Sequence, residues 1–580
     1  MPTDGPSTTK PTTKHVTMLH ARSIVSLFRS GSFKDLIKRL TAQLILLAKE
    51  RIVPNLRVFL GDRQPFVWLL AIGIGVGVAY FAILFRAIIG FVQLFWLGSH
   101  SERVASIAAD LPSLVILITP AFGGLLIGLF LHFVMPNRRA LGVADVIEAR
   151  AIKDCNIPVK AGLGSAIVSA VSLGFGASAG REGPVVHLGA MLASAIEDLF
   201  KLPKSARRTI LACGVAAAVS ASFNAPIAGV LFAHEVILAH YALSAFVPIV
   251  ISSVAATIIA RIHLGDFPAF IIPDYQITSY WEFPAFALLG LTCAAVAILF
   301  QFSLIVSDRV ASSVDIPLWS RPMIGGLMIG AIAVFFPQVL GVGYDSTDAA
   351  LKQQFALEVL LALIVAKTAA TAITLASRFG GGVFSPSLYL GAMTGGAFGL
   401  IAAMVFPEVA SSHGLYAIVG MGAVAAAVLG APISTTLIVF ELTGGFEVSI
   451  ALLLAVSISS GLSQAIHGRS FFHWQLATRG LFLQEGEHKR IIRSLRVRDF
   501  MTELEEDEDV PAFKPSSGAA WLILEDTLEA ALRAFDRKGH HRIAVIDARN
   551  TSKIIGWADH WAALDALNTA LIEVHVEEHR

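Results

Sequence analysis

Charge is what this 580-residue chain has least of: Asp, Glu, Lys and Arg make up 15% of it, against about 25% in an ordinary globular domain. Cysteine is also scarce. Cys155, Cys213 and Cys293 stand far apart, which excludes a disulfide scaffold and any paired-thiol metal site. The net charge of +1 says little about partners because the charge is unevenly placed, and no nucleic-acid partner is expected. What fills the chain instead is apolar: 55% hydrophobic residues and a mean hydropathy of +0.70, with 48 Gly and 24 Pro. That combination describes an all-α polytopic membrane protein lodged in a lipid bilayer, not a soluble enzyme, a disordered hub or a secreted domain. No enzymatic activity, metal or resident cofactor is expected.

The few charges are placed informatively. Residues 1–63 form a basic segment with 11 basic and 4 acidic side chains, and no apolar core with a small-residue cleavage site follows its start. Leu36–Leu47 reads as a short amphipathic helix on the membrane surface. A second basic stretch, Glu487–Arg498, follows the last apolar segment. The excess of Lys and Arg beside both ends of the apolar region places both termini in the cytoplasm. In between, residues 64–480 form the membrane domain. From Glu358 to Gly468 it has six charged side chains: Glu358, Lys367, Arg378, Glu408, Glu441 and Glu447. Several of its apolar segments fall short of the roughly 20 residues of a full span and are broken by Gly and Pro. Half-spanning helices are tolerated only against protein or a water-filled path, a pattern that suits a transporter or channel.

The domain repeats itself. Pro184–Met191 and Pro386–Met393 share the pattern Pro-x-x-x-Leu-Gly-Ala-Met, 202 residues apart, and Ala-Pro-Ile followed by seven residues and then Glu occurs at 225–235 and again at 431–441, offset by 206. Two matches in one order at nearly one offset indicate duplicated halves, roughly 64–265 and 280–480. Interrupted helices at corresponding positions point to a substrate site near the midplane, between the halves. After Gly480 the composition turns soluble. Residues 481–580 read as a small cytoplasmic α/β tail: helix Leu528–Lys538, strand Ile543–Asp547, strand Lys553–Trp557 and helix Asp559–Leu571.

Gly180-Arg181-Glu182-Gly183-Pro184 is the sharpest motif. Pro184 suits a first helical turn, where its missing N–H is not needed. The preceding N–H groups then sit at the positive end of the helix dipole, which makes an anion site without a cationic side chain. The second half supplies its counterpart in Gly380–Pro386, with Gly382, Val383, Phe384 and Ser385 leading into a helix. Glu182 brings its own carboxylate to the mouth of this site. It competes with an anion there when ionised and leaves when protonated, which makes it a gate. The plainer reading has Glu182 cap its helix or pair with Arg181.

GREGP, GGVFSP, the phrase Phe223–Glu235 (FNAPIAGVLFAHE) and Ser470–Gly480 (SFFHWQLATRG) together resemble the CLC family of chloride channels and proton/chloride antiporters over residues 66–480. The resemblance implies a duplicated, inverted-repeat helical bundle, a homodimer, chloride and related anions as substrate, and a bacterial inner (cell) membrane as location. It implies Glu182 as the external gate, an outer anion site around Gly180, Arg181 and Gly183, and a central one at Val383 and Phe384. Val497–Met501 resembles the start of a CBS module. The tail has room for about one, where the family usually carries two, so nucleotide binding there has little support.

Three positions depart from the family's pattern. Leu141 stands where a serine hydroxyl meets the central anion, and Phe472 where a tyrosine does. The central site would then rest on backbone dipoles, helped by Ser385. Val236 stands where antiporters usually carry an inner, proton-passing carboxylate. With no titratable group there, the expectation is a passive voltage- or pH-gated chloride channel. The alternatives are a proton-coupled chloride antiporter and, in another class, a CBS-based nucleotide sensor anchored in the membrane. Other polar residues have plainer readings. His234 and His240, six apart, turn about 240° from each other and make no metal pair. His187 reads as a hydrogen-bonded packing residue, Glu235 and Glu441 as structural helix partners or vestibule charges, Lys160 as either a gatherer of anions at the inner approach or a headgroup contact, and the basic run 489–498 as solvated or headgroup-facing.

Overall fold

In a computed structural model, the chain is described at residues 64–266, 270, 277–443, 448–482, 495–504, 520–538, 541–547, 550 and 553–579, with single positions at 492 and between 38 and 53. Contacts divide it into two compact units, Met1–Val67 and Trp68–Arg580. Most of the expected surface helix Leu36–Leu47, and most of the basic run after Gly480, lie outside the described residues; positions 38, 40–43 and 46 are helical.

The helices begin with α1 (Gln64–Leu97), most of which belongs to the second unit, α2 (Ser113–Phe133), α3 (Val143–Ile152) and α4 (Val159–Gly174). Next come α5 (Glu182–Phe200), α6 (Lys204–Phe223), α7 (Pro226–Phe232), which runs on as a π-helix over Ala233–Leu238, and α8 (Leu243–Leu264). The second half follows with α9 (Phe283–Ser313), α10 (Arg321–Phe335), α11 (Tyr344–Leu351) and α12 (Leu357–Ala376). It closes with α13 (Phe384–Val405), α14 (His413–Leu429), α15 (Pro432–Thr443), α16 (Ser449–His467) and α17 (Phe471–Ala477). Among the described residues seven helical segments are long and apolar enough to cross a membrane, and five apolar ones are shorter. Large apolar side chains such as Phe95, Leu243, Ile262 and Val365 are at least 70% exposed, the outward face of a protein solvated by lipid. The chain is an integral membrane protein.

The duplication is visible element by element: α5–α8 match α13–α16. In the first half α6 ends on Asn224 with φ +57°, followed by Ala225 and Pro226 at the start of α7. In the second, α14 ends on Gly430 with φ +67°, followed by Ala431 and Pro432 at the start of α15. A left-handed cap followed by proline stops one helix and starts the next at a fixed angle. Paired helices also meet through matching glycines. A Cβ on Gly189 would lie 2.4 Å from the Gly214 carbonyl oxygen, and one on Gly391 2.3 Å from that of Gly420. Small residues at such crossings let the backbones touch where no hydrophobic effect drives association. The halves are joined head to head by an antiparallel pair, Gly180 N–H to Gly382 O at 2.7 Å and Gly382 N–H to Gly180 O at 2.8 Å. The result is an inverted-repeat helical bundle with half-spanning helices.

The tail contains a four-stranded sheet in the order β1 (Thr502–Glu503), β4 (Ile554–Asp559), β3 (Arg542–Ile546), β2 (Trp521–Ile523). Strands β2 and β3 are parallel, joined through α18 (Leu528–Lys538), and β3 and β4 are antiparallel; α19 (His560–His579) follows. Phe500, Leu522, Phe535, Ile543 and Val545 fill the core under the helices. Helix α18 and the two expected strands are present within a residue or two, the final helix runs eight residues beyond the expected Leu571 to His579, and β1 and β2 were not anticipated.

Candidate functional site

The short antiparallel bridge sets the starts of α5 and α13 side by side. The first N–H groups of a helix have no intrahelical partners, so both helices offer positive ends to one point. Glu182 opens α5, with Pro184 in its first turn. Its carboxylate turns to this point. Ser385 Oγ donates to Oε2 at 2.6 Å and Tyr344 Oη donates to Oε1 at 2.8 Å. The side chain is 1% exposed. A Cβ on Gly180 would stand 2.8 Å from Glu182 Oε2 and 3.1 Å from the Ser385 nitrogen, so this position has no room for a side chain.

A cavity of about 400 Å³ runs from Glu182 along the α13 N-terminus. Leu141, Gly183, Gly382, Val383, Phe384 and Phe472 line it, so the structure gathers these sequence-assigned positions around one space. Phe384 is wedged between Phe223 (ring centroids 4.9 Å) and Phe232 (6.2 Å). No hydroxyl comes from positions 141 or 472, and the Leu141 N–H is taken by Ser165 Oγ at 3.0 Å. At its other end the cavity wall is charged. Asp145 receives Arg139 at 2.5 Å and Arg479 at 2.8 Å, and Arg479 also reaches Glu148 at 3.1 Å. This cluster ties α3 to the end of α17.

Arg181 belongs to a different space. Its guanidinium binds Glu102, which also pairs with Arg86 at 2.7 Å, and stands 3.9 Å from Glu182 Oε1. These groups line a second cavity of about 390 Å³ together with His100, Arg103 and Tyr344. Of the outer-position residues assigned from sequence, Arg181 lines this second cavity, whereas Gly183 lines the first beside the inner ones.

The proton-path position, Val236, is buried in the π-helix and carries no polar atom. The neighbouring Glu235 points elsewhere, accepting the N–H groups of Ile433 (3.1 Å) and Ser434 (2.8 Å) at the start of α15. Glu441 does the same for Ile227 (3.1 Å) and Ala228 (2.8 Å) at the start of α7, so both glutamates are the helix partners expected of them. His187 is buried, but its Nε2 has no hydrogen-bond partner, contrary to the bonded histidine expected. His234 Nδ1 lies 3.1 Å from the His240 carbonyl oxygen, and among the described residues no group of three metal-ligating side chains occurs.

Sequence reasoning missed Tyr344, Glu102 and Lys367. The Lys367 ammonium, fully buried, donates to the carbonyls of Val339 and Gly341 at 3.0 Å each and sits 5.1 Å from the centre of the Tyr389 ring. It thereby fastens the loop that leads into Tyr344. A charged residue inside an apolar helix was the signal available for Lys367; Tyr344 and Glu102 had none.

Known proteins resemble this chain. The profile of the voltage gated chloride channel family matches residues 123–464. A ClcB-like chloride channel protein of Ralstonia nicotianae is 34% identical over 387 residues, covering 66% of this chain and 90% of the relative. The H(+)/Cl(-) exchange transporter ClcA of Cronobacter sakazakii is 30% identical over 411 residues, 68% of this chain and 86% of the relative. Among solved structures, a slow cyanobacterial Cl-/H+ antiporter superposes with a TM-score of 0.64 at 23% identity, covering 72% of this chain and 99% of the other. With more than half of its length matched, the chain belongs to the voltage-gated chloride channel (CLC) family.

Proposed function

We propose that this protein transports chloride across the membrane in exchange for protons, with Glu182 as the gate of the anion pathway. The observation that carries the reading is the Glu182 carboxylate between two helix N-termini, held by Ser385 and Tyr344. A carboxylate there competes with chloride for the same donors, and protonation removes its claim on them. Exchange is supported by the Cronobacter relative, an H(+)/Cl(-) exchange transporter. Passive conduction, the expectation drawn from Val236, is the weaker reading, because it rests on one missing carboxylate while the group that binds proton and excludes anion is intact. Gly180, Arg181 and Gly183 serve the outer anion position; Gly382, Val383, Phe384 and Ser385 serve the central one, beside Leu141 and Phe472.

The working form is a homodimer in the bacterial inner membrane, with both termini cytoplasmic as the basic flanks direct. The parallel β2–α18–β3 unit followed by β4 and α19 supports a single CBS-like module, a regulatory appendage and not the working part. Vesicles containing the purified protein test the reading. With voltage clamped and no chloride gradient, an imposed pH gradient should drive chloride uphill, and Glu182→Gln should abolish that coupling. Chloride that follows only its own gradient would restore the passive channel, and no chloride movement at all would end both readings.

A further inference from the structure

Glu182 lines the inner cavity and Tyr344 the outer one, and the two touch through a single hydrogen bond. At this contact the cavities are bridged by two side chains from different halves of the chain. We propose that Tyr344 is the latch of the Glu182 gate: its hydroxyl, reaching in from the outer cavity, holds the ionised carboxylate in the anion position and loosens its hold on protonation. This rests on Glu182 being the gate, and it assigns to Tyr344 a positioning role.

The geometry is built for that task. Tyr344 opens α11 directly after Gly343, whose φ of +90° turns the chain into the helix. The loop before it is fastened by Lys367. The ring is gripped on two sides, by the Arg181 guanidinium 4.9 Å from its centroid and by Phe270 edge-on at 5.6 Å. Arg181 is fixed in turn by Glu102, and Glu102 by Arg86. The charged groups facing the phenol are thus Arg181, Glu102 and Arg86 from the outer cavity, with His100 and Arg103 on the same wall. Lys367 lies behind its loop. Asp345, next in sequence, is turned away to the N–H of Ser106 at 2.9 Å. Arg181 and Phe270 orient the ring, and its hydroxyl is the part of Tyr344 that bonds the gate. A phenol O–H donates to an ionised carboxylate more strongly than to a neutral acid, so the bond weakens when Glu182 gains its proton.

Removing this donor disfavours the ionised form of Glu182. In Tyr344→Phe, reconstituted in vesicles, activation of chloride flux by acid should shift to higher pH by roughly one to two units, the size of one hydrogen bond to a charged group. Flux at the alkaline end should rise, because the ionised carboxylate is held less firmly. Replacing Tyr344 by 3-fluorotyrosine keeps the shape and makes the hydroxyl a stronger donor, so the profile should move to lower pH. This second variant keeps the test valid where Tyr344→Phe fails to fold. A profile that is unmoved by fluorination, or moves upward, overturns the latch. If the profile responds to Glu182→Gln but not to either change at 344, the latch alone is wrong; if it ignores Glu182→Gln, the gate and latch fall together.

Discussion

Glu235 and Glu441 are exchanged between the two halves of the molecule: each sits at the end of its own repeat segment and caps the first turn of the other's. A carboxylate that accepts two backbone N–H groups satisfies two orphan donors and meets the positive end of a helix dipole. The four bond lengths match in pairs, 3.1 and 2.8 Å on each side, as expected of one ancestral contact copied by duplication. Glu235→Ala and Glu441→Ala should therefore destabilise the protein by similar amounts, about 2 kcal/mol each. Thermal unfolding in detergent measures this. A loss confined to one of the two would show that the caps are not equivalent.

Beside Val383 and Phe384 the inner cavity is lined by Leu141 and Phe472, which bring no hydroxyl to the proposed anion position. Leu141→Ser or Phe472→Tyr would point a hydroxyl at the space beside Val383 and Phe384. One added bond to a charged ligand is worth roughly 1.5–3 kcal/mol, so chloride affinity measured by calorimetry should rise about tenfold or more for either change. Unchanged affinity in both variants would falsify the placement of these residues beside the anion.

Lys367 sets two large effects against each other. Lys367→Met leaves the carbonyls of Val339 and Gly341 without their donor, about 1–3 kcal/mol apiece. It also removes an ammonium from an apolar interior, which relieves several kcal/mol of desolvation. These nearly cancel, so the melting temperature should move little while the loop before Tyr344 loosens. Alkaline chloride flux should then rise, as in Tyr344→Phe. A melting point lowered by many degrees with an unaltered pH profile would make Lys367 purely structural.

Much of this was legible in the sequence because duplication doubles every signal. The Pro-x-x-x-Leu-Gly-Ala-Met and Ala-Pro-Ile repeats announced the paired helices, and the GREGP and GGVFSP motifs announced the two N-termini that meet at Glu182. Glycine and proline have local meanings that need no knowledge of what lies opposite. Tyr344 is a different case. It touches Glu182 across 162 positions, has no repeat counterpart that was recognised, and looks like any aromatic residue at a helix start. Glu102 lies in a polar loop where a glutamate is unremarkable, and only the fold brings it to Arg181. The two short strands of the tail, β1 and β2, have two and three residues, too few to show an alternating pattern.

The backbone pair between Gly180 and Gly382 has a mechanical consequence. Many transporters with inverted repeats expose their sites by rocking one half against the other about the midplane. Here the two halves are stitched at the proposed anion site by two main-chain hydrogen bonds of 2.7 and 2.8 Å. Rotation of the halves would tear the site that it is meant to expose. The turnover cycle is left with moving parts no larger than side chains, so the scaffold can stay still while a carboxylate, and the phenol that meets it, do the switching.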